Sequence, residues 1–400
     1  MLFIISLTGK NRLLIMFLLL LIIILLVFFI NLYYSEYLPS NTSEMIFRIV
    51  VDAGHGSIDT GTSYRNIYEK DINLAVAKYL STELKRYNII PIMTRTEDKL
   101  YQNSRNEDIR YRPRVADEYS ADLFISIHTN NYPSSQPAGS QIFYKSNSGE
   151  SKKLAESIQL KLITIREENN RVIKSGDYYV LNKINCPGVI IELGFLSNPS
   201  DRQLLIDKDY QQQLAKAIAK GIVNYLQSGF GKQNSVESIL VNSLSKEENQ
   251  RGNIDRTLTN IETGPYLYYI DLNEQQIFLI KTDTCTVTGN ISTSTHPEAN
   301  LKFILEIIEE LTIPPAGLIS PISSISFINS LKVEKDILTI DFSAEFSQQF
   351  NGGAEMETAI INAITKSLVS LPGINGIKFT IEGEKESSIG GHIILNQIYR

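Results

Sequence analysis

Residues Ile49 to Gly56 read IVVDAGHG, and the fold turns on them. An apolar, β-prone run that halts at Ala-Gly-His-Gly predicts a buried strand delivering His55 to the carboxyl edge of a sheet. Two later runs repeat the pattern. Ala121 to His128 (ADLFISIH) ends on a second histidine, and Gly188 to Glu192 (GVIIE) ends on a glutamate. Ligands of open α/β sheets bind outside the carboxyl ends of the strands, so strands ending in His, His and Glu are expected to converge on one crevice.

Working outward, YEKDINLAVAKYLSTELKRY places Ile72, Ala75, Val76, Tyr79, Leu80 and Leu84 at helical spacing. Glu69 then falls at or just before the first turn, where a carboxylate is either an N-terminal cap or a metal ligand. Ile89 to Thr94 reads as a short strand. The polar stretch after it carries Arg95, Arg105, Arg110, Arg112 and Arg114, which suit either carboxylate recognition or a solvated helix face. Arg112 and Asn130 are the candidate substrate-binding residues. Gly139 to Tyr144 reads as a strand, Ser151 to Ile165 and Tyr210 to Leu226 as helices. Strands alternating with helices over residues 45–229 predict an α/β domain with a mostly parallel twisted sheet flanked by helices.

Residues 230–263 are polar, poor in aromatics and dense in Asn, Ser and Glu, as a linker is. Residues 264–392 continue with two strands around an Asn273-Glu274 turn, a helix over Leu301 to Leu311 and short strands at Ile325 to Ile328, Leu331 to Glu334 and Ile337 to Phe342. A helix over Met356 to Leu371 and a strand at Ile377 to Glu382 complete a separate α+β domain.

At the other end, Leu13 to Ile30 is an unbroken apolar run. At 1.5 Å per residue it spans about 27 Å, close to the ~30 Å of a hydrocarbon core. Lys10 and Arg12 precede it, and Tyr33, Tyr34 and Tyr37 come after it. That asymmetry predicts a cytoplasmic tail over residues 1–12, a transmembrane helix over 13–32 and the rest of the chain outside the cytoplasm of a cell membrane. A cleaved signal peptide is the rival reading; its shorter apolar core and small-residue cleavage site are not evident.

Composition narrows the rest. Four hundred residues at 43% hydrophobic content support two cores, and a net charge of −6 gives no footprint for nucleic acid. The two cysteines, Cys186 and Cys285, read as buried thiols rather than a disulfide.

The chemistry rests on His55, Glu69, His128 and Glu192. Hydrolytic zinc sites use three protein ligands, often two histidines and a carboxylate, and keep a fourth position open. A further carboxylate must move the proton from the water to the leaving amine, and Glu192 is available for it. His296 and His392, in the second domain, receive no ligand role.

These residues also carry a likeness. IVVDAGHGSIDTGT, YEKDINL, MTRTEDK, ADLFISIHTN and VIIELGFLSNPSDRQLL together resemble the zinc-dependent N-acetylmuramoyl-L-alanine amidases of the amidase 3 type, across almost all of Phe47 to Leu226. GSQIFY and NRVIKSGDYYVLNK bring it nearest to the spore-cortex amidases. The resemblance implies Zn2+ bound by His55, Glu69 and His128, with Glu192 as the catalytic carboxylate. It implies hydrolysis of the amide joining the lactyl group of N-acetylmuramic acid to L-alanine in peptidoglycan, and muramic-δ-lactam formation once a polysaccharide deacetylase acts. A sporulation protein is an expected partner. No autoinhibitory helical insertion lies between His128 and Glu192. Ser57, Asp117 and Thr129 depart from the family pattern without removing a ligand. LYYIDLNEQQIFLI, ILTIDFSAEF, FNGGAEMETAIINAITKSL, PGINGIKFTIEG and the terminal GGH resemble the GerMN sporulation and germination domain, which implies a binding or assembly module. The competing readings are a peptidoglycan-binding scaffold without catalysis and a zinc peptidase acting within the stem peptide.

Overall fold

The computed structural model describes residues 17, 19–30, 46–166, 169–230, 266–273, 276–282, 297–385 and 387–400. The chain divides into two compact units, Met1–Ile46 and Phe47–Arg400. In the first, residues 17 and 19–30 are helical and their apolar side chains are exposed. Among the described residues no helix is long and apolar enough to cross a membrane. The expected tail 1–12, part of the expected span 13–32, most of the linker, Cys285 and His296 lie outside the described residues.

In the second unit the opening stretch becomes β1 (Arg48–Ala53). It is followed by α1 (Glu69–Lys85), β2 (Ile90–Met93), α2 (Arg105–Glu118), β3 (Leu123–Asn130), β4 (Gln141–Lys145) and α3 (Gly149–Ile163). Then come β5 (Lys174–Gly176), β6 (Gly188–Phe195), α4 (Pro199–Leu205) and α5 (Lys208–Phe230). The sheet order is β2-β1-β3-β6-β4-β5. Every pairing is parallel except β6 with β4, so the sheet is mixed.

Because side chains alternate along a strand, each central strand feeds two cores. Ile49, Val51, Leu123, Ile125, Ile127, Val189 and Ile191 pack on one face with residues of α1, α3 and α5. Val50, Phe124 and Ile190 point the other way, into a cluster that also holds Ile109 and Val115 of α2. That second cluster does not stop at the domain edge: it continues through Ile389, Ile393, Ile394 and Leu395 into the C-terminal half. The α+β region has its own sheets, but it is not a detached body on a tether; it roofs one face of the first sheet.

Its elements are a hairpin of β7 (Leu267–Asn273) and β8 (Gln276–Thr282), α6 (Pro297–Leu311), β9 (Ile328–Glu334), β10 (Ile337–Phe342), α7 (Ala354–Val369), β11 (Gly376–Ile381) and β12 (Ile398–Tyr399). The second sheet runs β9-β10-β11-β12, with β10 and β11 parallel across α7. The strand expected at Ile325 to Ile328 is instead a 3-10 turn over Ile325–Phe327, because the Ser324 hydroxyl accepts the Ser326 amide and closes the backbone locally.

Candidate metal centre

β1 ends at Ala53, and His55 comes next but one with φ of 61°, a left-handed conformation that flanking glycines make room for. Gly54 is required for a second reason. A Cβ there would lie 2.3 Å from the His128 ring, so the strand ends could not approach. The His55 ring is oriented by its Nδ1, 2.8 Å from Asp59 Oδ2, which leaves Nε2 facing Glu69 Oε1 at 3.4 Å.

Glu69 opens α1, yet its side chain makes no cap for that helix. Oε2 accepts the Thr62 amide at 2.8 Å; Oε1 accepts the Thr129 amide at 2.9 Å and lies 3.0 Å from His128 Nδ1. Of its two sequence readings, the carboxylate is thus turned toward the histidines. The ring centroids of His55 and His128 are 5.0 Å apart. His128 on β3 and Glu192 on β6 are register partners. Glu192 is fully buried, and neither carboxylate oxygen has a hydrogen-bond partner.

The electrostatics arise from this crowding. Burial favours the neutral form of His55, yet the carboxylates of Asp59 and Glu69 outweigh it and hold the pKa up at about 10. For His128 burial dominates and brings the pKa down to about 4. Glu69 is held well below the ordinary carboxylate range: burial opposes this, but His55 and His128 prevail. Glu192 goes the other way, raised well above that range by burial and then by the charge of Glu69. Two carboxyls in one cleft are thus pushed in opposite directions, a pattern suited to divided roles.

His392, expected to take no part in the site, is placed in it by the structure. The terminal Gly-Gly-His segment lays its ring against the other two histidines, 5.6 Å from His55 and 5.0 Å from His128 between centroids. Ligand atoms of the three rings lie within 4.8 Å of one another. Nε2 of His55 and Nε2 of His392 are both buried without a hydrogen-bond partner. Two buried ring nitrogens without hydrogen-bond partners, with Nδ1 of each of these two rings against a buried carboxylate, fit a metal-binding donor set. The only sequence signal for His392 was its place after two glycines, and nothing in its own segment points at a site formed by β1 and β3.

Arg112, expected to contact substrate, lines the cavity over the histidines and is bound up within the site. Only 5% exposed, it donates to Asp52 Oδ1 (2.6 Å), Asp108 Oδ2 (2.7 Å), and the carbonyls of Ala53 (2.6 Å) and His55 (2.8 Å). It is a staple beneath the His55 loop. Asn130 is also buried; Gly353 sits so close that a Cβ there would come within 2.0 Å of Asn130 Oδ1. A cavity of about 320 Å³ remains between the two halves, lined by His55, His128, His392, Arg105, Asn106 and Ser387 among others.

Residues 49–224 match the family described as N-acetylmuramoyl-L-alanine amidase, and residues 266–387 match one described as sporulation and spore germination. A germination-specific N-acetylmuramoyl-L-alanine amidase of Bacillus subtilis (strain 168) is 37% identical over 186 residues, which cover 44% of this chain and 78% of that protein. The N-acetylmuramoyl-L-alanine amidase LytC of the same organism is 35% identical over 179 residues, covering 44% of this chain but 35% of LytC. A solved structure of the CwlD amidase from Clostridioides difficile in complex with the GerS lipoprotein is 37% identical, covers 45% of this chain and 98% of that chain, and superposes with a TM-score of 0.44.

Proposed function

Since the chain belongs to the N-acetylmuramoyl-L-alanine amidase family, we propose that it hydrolyses the amide between N-acetylmuramic acid and L-alanine in peptidoglycan, with zinc held by His55, Glu69 and His128. The observation that carries this reading is the convergence of His55, Glu69 and His128 beside a buried, unpartnered Glu192 at the carboxyl edge of one sheet. A zinc ion there supplies Lewis-acid polarisation of the scissile carbonyl and lowers the pKa of water toward ~7. The chain's own residues do the rest. Asp59 fixes the His55 ring, and the Thr62 and Thr129 amides fix Glu69. Glu192, buried beside the site with no hydrogen-bond partner on either oxygen, takes the proton of the attacking water and passes it to the leaving amine of L-alanine.

The spore setting is supported by the germination-specific relative and by the match at residues 266–387. In that setting the product is a muramic acid stripped of its stem peptide, which a deacetylase converts toward muramic-δ-lactam; a sporulation protein is the expected partner. The exposed apolar helix at residues 19–30 supports anchoring in the cell membrane with the rest of the chain outside the cytoplasm.

The test is muropeptide analysis of purified cell wall treated with the zinc-loaded chain. Intact stem peptides beginning with free L-alanine are expected, and Glu192→Ala is expected to slow their release by roughly 10²- to 10⁴-fold. Shortened peptides with L-alanine still on muramic acid would mark a peptidase. No release from either the unaltered chain or a His392→Ala chain, or equal release from the Glu192→Ala variant, would leave a scaffold.

A further inference from the structure

His392 reaches the histidine pair from a segment more distant in sequence than any other part of the site, and it arrives oriented. Its Nδ1 lies 3.1 Å from Oε2 of Glu357, a wholly buried carboxylate on α7. The same carboxylate accepts the backbone amides of Ile389 (3.1 Å) and His392 (3.0 Å) and the hydroxyl of Ser388 (2.9 Å), so it organises the whole turn that presents the ring. Metal-ligating histidines are held this way: one ring nitrogen on a carboxylate, the other free for the ion. Here the other nitrogen, Nε2, is buried and has no hydrogen-bond partner. An unpaired buried nitrogen carries a desolvation penalty that binding an ion removes.

We propose that His392 is a further protein ligand to the metal held by His55, Glu69 and His128, closing its coordination sphere so that the docked C-terminal half keeps the enzyme latent. The inference rests on the zinc amidase reading above. Four protein ligands around zinc make a closed site, whereas hydrolysis needs the fourth position.

The surrounding contacts hold the half in place. Asn351 accepts from the Thr62 hydroxyl at 2.7 Å and the Ser63 amide at 3.1 Å, and its carbonyl accepts from Asn131 Nδ2 at 2.7 Å. The Tyr179 amide donates to the His392 carbonyl at 3.0 Å, and Asn106 Nδ2 donates to Glu384 at 2.8 Å. Gly391 lies directly over His55: a Cβ there would meet the ring at 3.4 Å. Gly353 covers Asn130 in the same way. While these contacts stand, the C-terminal half occupies the ground over the histidines that a glycan strand would need.

The test uses the full chain loaded with cobalt(II) in place of zinc. The unaltered chain is expected to give the intense visible absorption of a four-coordinate ion, insensitive to added azide. His392→Ala is expected to change that spectrum, admit azide, and bind zinc at least ~10-fold more weakly in chelator competition. At saturating zinc it is expected to release stem peptides faster than the unaltered chain. Asn351→Ala, which spares every ligand, is expected to admit azide and raise the rate as well; a variant with closed spectrum and unaltered rate would overturn the docking. A cobalt spectrum and zinc affinity indifferent to His392→Ala would overturn the latch and leave the amidase reading standing. Failure of the unaltered chain to bind cobalt would overturn both.

Discussion

Arg112 ties the end of β1 and the His55 loop to α2. Burial pushes the Asp52 carboxyl up, but the charge of Arg112 together with the Ser126 and Thr94 hydroxyls and His128 outweighs it, and the net pKa is lowered. Replacing Arg112 by Met leaves that buried carboxylate with the Thr94 and Ser126 hydroxyls but no counter-charge, so we expect a loss of roughly 3–5 kcal/mol in urea unfolding at pH 7. In the unaltered chain Asp52 stabilises above its unfolded pKa, and that contribution is lost as pH falls. In the variant that lowering is weakened, so less stability is gained on ionising Asp52, and the deficit should be smaller at pH 4 than at pH 7. A deficit that does not shrink in acid would refute this account. His55, Glu69, His128 and Glu192 were legible because each sits where an apolar period breaks on a polar residue, at a strand end or a helix start. His392 was not, because it ends no strand; its meaning comes from Glu357 and from residues more than two hundred positions away. The carbonyls that Arg112 reaches were not legible either, because an arginine among other polar residues gives no sign of them.

At the scale of elements, α4 illustrates a turn whose chemistry was readable and whose consequence was not. Ser197-Asn198-Pro199 marks a break after β6, and Asn198 indeed caps the helix, accepting the amides of Ser200 (2.9 Å) and Asp201 (3.1 Å), with Pro199 in the first turn. The cap positions Asp201, whose Oδ2 accepts the amides of Gly139 (2.8 Å) and Phe195 (2.9 Å) and so joins the end of β6 to the approach of β4. Asn198→Ala should therefore cost ~1 kcal/mol or more, measured as a shift in the urea midpoint without a change in slope. That β1, β3 and β6 end on one side of the sheet was readable from their apolar runs, but their order in it was not. The antiparallel entry of β4 and the short β12 carried no comparable pattern, since two residues of pairing leave no period to read.

For the whole molecule, the change of composition after residue 229 gave no sign that the C-terminal half packs against the first sheet. Linker composition reports chain stiffness, not where the far end docks. One apolar cluster contains Val50, Phe124 and Ile190 of the first sheet together with Ile389, Ile393 and Leu395 of the C-terminal half. Inter-domain contacts that amount to a common core couple the two parts. We expect urea unfolding of the full chain to show coincident transitions for a label beside α5 and one beside α6, and separate midpoints would mean that the halves are energetically independent.

A common oily seam has a kinetic meaning as well. Parting the halves wets both walls together, so intermediate gapes are scarce and release is abrupt. Turnover is then paced by whatever event pries the seam apart, such as a bound neighbour or a proteolytic nick, and hardly at all by how much cell wall lies within reach.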